Sequence, residues 1–202
     1  MRRLILAGTF MAAALFMSTS SAQAATICNN CSYLANPGTY IGVLNPTTND
    51  QSTFDHIGVT AGAVIDDMWV FDIAPAGNGS ASANFTATAP FTGFTGGIYA
   101  ALAGTNCPAL AVSPLSPVGT QCTTVNLGGL IGGDVNPTAD VVATAVLALA
   151  PGRYIFRLQG TAGAPFGTYT GQVATNAVVP EPALLSLLGL GLAAVARRRR
   201  KA

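Results

Sequence analysis

The residues best equipped for chemistry are four cysteines, one histidine and a handful of aspartates. Cys28 and Cys31 bracket two asparagines, whereas Cys107 and Cys122 stand fifteen residues apart. A redox Cys-x-x-Cys sits at the start of a helix that follows a strand. This one lies in a polar stretch without that context. A four-cysteine zinc site needs two close pairs, and only one exists. Disulfides remain the preferred reading, with three connectivities open to four cysteines. Cys28–Cys31 with Cys107–Cys122 is the favoured pairing. Its second bond would close a loop rich in Pro, Ser and Gly.

His56 is the sole histidine, so a multi-histidine metal site cannot form within one chain. A Ser-His-Asp triad could use only His56, and the sequence has no G-x-S-x-G elbow. Beside Asp55 in a polar stretch, His56 reads as a solvated loop residue. Asp66, Asp67 and Asp72 share one extended segment but face two ways, a poor geometry for a catalytic carboxylate pair. Oxygen-bearing side chains recur at every second residue in Asp134, Asn136, Thr138 and Asp140, as in calcium loops. The loop glycine and terminal glutamate of an EF-hand are missing, and Asp, Asn, Pro and Gly also make plain turns. Any calcium here would be structural; otherwise no cofactor is expected. Nothing amounts to an active site, and the expectation is a non-enzyme.

Strands must position these residues. From Ser80 to Ala89 small apolar residues and Phe85 alternate with Ser, Asn and Thr, the pattern of a half-buried antiparallel strand. In Ile65 to Ile73 the odd positions Ile65, Asp67, Trp69, Phe71 and Ile73 share one face. Trp69 is therefore expected in the core, and Asp67 with it. A buried carboxylate must be hydrogen-bonded, paired or metal-bound. Capping of loop amides near the strand start is the preferred role for Asp67, with calcium ligation as the other reading. Val141 to Ala148 reads as a strand with an Ala-rich helix as the alternative. Pro151-Gly152 turns it back into an alternating strand at Tyr154–Leu158, with Arg157 outward. Thr168–Ala174 places Tyr169 and Val173 on one face. Short strands at this spacing predict an all-β fold, an antiparallel β-sandwich of jelly-roll-like form.

The two ends follow other rules. Met1-Arg2-Arg3, an apolar run from Leu4 to Phe16, and Ala22-Gln23-Ala24 form a secretory signal helix, cleaved after Ala24. At the other end, Pro180-Glu181-Pro182 precedes 14 uncharged residues from Ala183 to Ala196 and then Arg197, Arg198, Arg199, Arg200 and Lys201. As a helix that run reaches roughly 21 Å, short of the about 30 Å of hydrocarbon in a bilayer. The cations mark a cytoplasmic end. The three-part tail, together with the signal peptide, resembles that of PEP-CTERM proteins. The resemblance implies processing by exosortase, a membrane-embedded enzyme, at the Pro-Glu-Pro site, in Gram-negative bacteria that make extracellular polysaccharide. Ile65-x-Asp67-x-Trp69, with Gly152-Arg153-Tyr154 and Gly167-Thr168-Tyr169-Thr170-Gly171 downstream, resembles the FxDxF subgroup of these proteins. Through it the chain is similar to the bacterial pre-peptidase C-terminal β-sandwich over roughly residues 57–179. Asp67 alone matches the motif unchanged; both aromatic positions depart from Phe.

Four segments follow: residues 1–24 as signal peptide, 25–56 as an N-terminal segment with the Cys pair, 57–179 as the β-sandwich, and 180–202 as the sorting signal with its short transmembrane helix. Between Ala25 and Val179 the only cations are Arg153 and Arg157, against seven aspartates. That balance argues against nucleic acid as a partner. The expected partners are the Sec machinery, an exosortase, the inner membrane transiently through the C-terminal helix, and exopolysaccharide. The reading is an exported, non-enzymatic protein of the cell surface or extracellular matrix, as in a biofilm. A carbohydrate-binding module or adhesin using Tyr99 or Phe94 is the runner-up, and a hydrolase the third possibility.

Overall fold

A computed structural model of the chain describes residues 25–74, 77–85, 90–112, 117–133 and 141–176. The signal peptide, the Asp134–Asp140 loop and the sorting tail lie outside the described residues.

Two sheets face each other. One has five strands in the order β1 (Thr26–Ser32), β3 (Gln51–Thr60), β13 (Phe166–Asn176), β5 (Gly77–Phe85) and β11 (Val141–Leu149). The other has six: β10 (Leu127–Gly133), β6 (Phe91–Ala101), β12 (Gly152–Ala162), β4 (Val64–Ile73), β2 (Thr39–Leu44) and β9 (Thr120–Gln121). A two-strand pair, β7 (Ala111–Val112) and β8 (Pro117–Val118), is hydrogen-bonded to neither, and β8 packs beside β1. Pairing is antiparallel except where β1 meets β3 and β2 meets β4. The architecture is an all-β sandwich.

Period two explains the packing. Ile65, Asp67, Trp69, Phe71 and Ile73 point inward from β4, as expected, and meet Phe54, Tyr169 and Val173 from the five-stranded sheet. β11 is a strand and not the alternative helix. The Pro151-Gly152 turn after it closes no hairpin. It carries the chain from one sheet to the other, so Val142 and Leu149 fill the interior from one side and Tyr154, Phe156 and Leu158 from the opposite side. The turn from β3 to β4 also crosses between sheets, and Gly62 supplies its positive φ of 79°. β1 and β2 join the same two sheets, and β3 runs through residues 56 and 57.

The six-stranded sheet is covered on its outer face as well. The described parts of the segment that links β6 to β10, residues 102–112 and 117–126, fold back over it. Tyr40, Val70, Ile155 and Cys122 are buried there in a second, smaller cluster, with Met68, Tyr99, Cys107, Leu110 and Val125 packed around them. This strap is pinned by the β9–β2 pairing and by a bridge between Asn106 and Thr124. Cys107 and Cys122 stand at disulfide distance within it, their Cα atoms 4.0 Å apart.

The first and last described strands, β1 and β13, begin and end respectively at one pole of the sandwich. Thr26 and Ala174 each pair with Gln51, and Asn176 pairs with Asn78. The opposite pole carries the turns at residues 61–63 and 163–165.

Candidate functional site

Asp67 is 3% exposed, and side chains from the opposite sheet meet it in place of the loop amides expected from the sequence. The Tyr169 hydroxyl donates to Asp67 Oδ2 at 2.6 Å, and His56 Nδ1 meets the same oxygen at 2.5 Å. Trp69 Nε1–H donates in turn to the Tyr169 oxygen at 3.0 Å. Three strands in two sheets are joined through one carboxylate.

His56 is therefore not the solvated loop residue that its sequence neighbours imply. It sits on β3 with a side chain only 25% exposed, and Tyr33 packs on its ring at 4.9 Å. Burial, then the Asp67 charge, push the Tyr169 hydroxyl well above the usual tyrosine range. The same two causes raise Tyr33. Both hydroxyls thus stay protonated and remain donors. Among the described residues Asp67 is the hydrogen-bond partner of His56, which makes the imidazole a structural counterpart to the carboxylate.

The other carboxylates of β4 face outward and take the two arginines of β12. Arg157 grips Asp66 through Nε and Nη2, each at 2.6 Å. Arg153 grips Asp72 at 2.8 and 2.9 Å and reaches the Thr105 carbonyl in the strap at 3.3 Å. Its guanidinium lies 5.2 Å over the Tyr40 ring, while the Tyr40 hydroxyl donates to Asp72 at 2.7 Å. Hydrogen bonding to the carboxylates raises both arginines, and burial followed by the Asp72 bond raises Tyr40. An open pocket of about 430 Å³ lies beside this pair, lined by Asp72, Arg153, Gly152 and Ala101 to Thr105. Its two charges already satisfy each other, so an ionic ligand finds no spare partner.

The cysteine pair at 28 and 31 is buried in β1, at 0% and 2% exposure. The two residues stand at disulfide distance, on a strand and not at a helix start. That placement removes the context a redox thiol needs. Phe94, put forward as an exposed sugar contact, is 5% exposed and stacks on Phe91 at 5.4 Å. Tyr99 is half-buried beneath the strap. Sequence reasoning missed Phe166, which is 47% exposed, and the His56–Tyr169 convergence on Asp67. One signal was available for the strap: Met68, Val70 and Ile155 are apolar on the strand faces expected to meet water.

Comparison with known proteins bears on both parts of the chain. Residues 178–201 match the PEP-CTERM protein-sorting motif. That motif marks proteins sorted to the cell exterior through exosortase processing. No curated protein matches the chain. Among solved structures, the chain is similar to the pre-peptidase C-terminal domain of a collagenase from Bacillus anthracis. That likeness has 14% identity over 69% of this chain and 99% of that one, with a TM-score of 0.35.

Proposed function

We propose that the domain, once delivered outside, works as a non-catalytic component of the exopolysaccharide layer, sorted there by its own tail. The sorting motif at residues 178–201 carries the reading, because it fixes the exterior as the workplace. The domain chemistry supports it. Both cations of the exported part are held by aspartates, and its single imidazole is held by Asp67. What remains on the described surface is hydroxyl, amide and small apolar groups with a few large ones such as Ile57, Val64 and Phe166, a surface suited to contact with hydrated sugars.

The signal peptide hands the chain to the Sec machinery. The tail holds it in the inner membrane until exosortase cuts near Pro180–Pro182. Intact mass and fractionation from the native host test this. The expected result is a C-terminus near Pro180–Pro182 in the polysaccharide fraction, while P180A/E181A/P182A stays at the membrane. A full-length chain confined to the membrane overturns it. Depolymerisation of host polysaccharide by the purified protein would favour the hydrolase instead.

A further inference from the structure

The two outer faces of the sandwich are unlike, and the one that no described segment covers has a built chemistry. Phe166 is the one exposed aromatic among the residues whose side chains are described. It opens β13 and pairs with Thr60 of β3, three residues along that strand from Ile57, which is 67% exposed. Gly58 N–H donates to Thr168 Oγ1 at 3.2 Å, drawing the two strands together at this point. From Phe166 the face continues through Thr168, Thr170 and Gln172, with Thr53 alongside on β3. Asp55 is the only charged side chain described on it. Both arginines belong to the other sheet.

We propose that this face is a binding platform for an uncharged polysaccharide chain, with Phe166 and Ile57 as its apolar end. An aromatic ring takes the apolar face of a sugar at low entropic cost, while hydroxyl and amide groups along the strand exchange hydrogen bonds with sugar hydroxyls. Charge selects the ligand class: a polyanion meets Asp55 and no cation on this face, so a neutral chain fits and an acidic one does not. The chain ends supply the orientation. β13 runs 11 residues from Phe166 to Asn176, roughly 35 Å, and the chain continues from Asn176 toward the sorting tail. Phe166 therefore stands at the end of β13 opposite the one from which the chain leaves for the sorting tail. The inference rests on the matrix reading above and names its ligand class and contact residues.

The test uses the full chain in detergent micelles against insoluble cellulose, xylan and dextran as neutral probes, with alginate as the anionic arm. Wild type is expected to bind at least one neutral probe and to prefer it to alginate. Phe166→Ala should weaken that binding at least tenfold with an unchanged melting midpoint, and Ile57→Glu on the same face should do likewise. Preference for alginate, or equal binding by wild type and both variants, overturns the platform. Binding that survives these changes but falls with Tyr99→Ala also sinks the platform, yet leaves the matrix reading standing. Failure of wild type on every neutral probe sinks the platform and the polysaccharide contact of that reading together, while the mass of the sorted protein still tests its delivery.

Discussion

The outer face of the six-stranded sheet and that of the five-stranded sheet start from similar strands and end differently. On the first, Met68, Val70 and Ile155 are apolar and lie under the strap, and two arginines are locked onto Asp66 and Asp72. On the second, Thr53, Thr168, Thr170 and Gln172 are hydrophilic and no strap covers them among the described residues. The covered face adds a second small core and keeps its charges to itself, which leaves the other face free to carry Phe166 without weakening the fold. The network on Asp67 lies between them and serves both.

Alkali should break the comparison most completely. Tyr169 in the interior, the half-buried Tyr33 beside it and Tyr40 under the strap all hold their protons to higher pH than in the unfolded chain. Their contribution is full below the ordinary value of 10.0 and is lost as pH rises beyond it toward the folded values. Urea midpoints should fall steeply above pH about 10, together with tyrosinate absorbance; a flat profile to pH 11.5 would contradict this burial.

Removing the shared network comes next. Asp67→Ala should cost about 4 kcal/mol in denaturant unfolding, because Tyr169 and His56 then lose a common buried acceptor. A loss below about 1 kcal/mol would mean that the two sheets do not depend on it.

Smaller changes should separate the faces. Cys107→Ser opens a loop of about 15 residues and should cost about 3 kcal/mol. Hydrogen exchange should then rise in residues 102–126 and β9 and stay unchanged in β13. Equal rises in both places would erase the distinction between the faces. Arg153→Ala sits on a partly exposed pair and should cost about 1 kcal/mol. Phe166→Ala should change stability by less than about 0.5 kcal/mol, since the ring is half in water already.

Much of the fold was legible because period two survives in β4, β12 and β13. That pattern alone put Trp69 inside with Phe71 on the same face, gave Tyr169 and Val173 a common face, and left Asp67 needing a partner. The partners were not legible. Tyr169 stands 102 residues away and His56 only 11, yet each comes from the opposite sheet, which no local spacing encodes. Asp55 beside His56 suggested solvent because neighbours on a strand point in opposite directions, and the charge of one says nothing about the other. Phe94, offered as a sugar contact, lies instead on an inward position of β6, where glycines let other strands approach. Gly96 is an example: a Cβ there would lie 2.8 Å from Val142 Cγ1 and from the Arg157 carbonyl. The strap was hidden for a different reason. Two outward apolar residues on β4 and one on β12 are a weak excess until the sheet places them side by side.

The position of β13 has a mechanical consequence. It is the middle strand of its sheet, flanked by β3 and β5 in antiparallel ladders along most of its length. A pull on the chain beyond Asn176 therefore acts along the strand, across hydrogen bonds that lie perpendicular to it. Both ladders must slide at once and cannot be peeled one bond at a time. A cell tethered through this terminus in flowing water would strain a shear joint rather than a zipper.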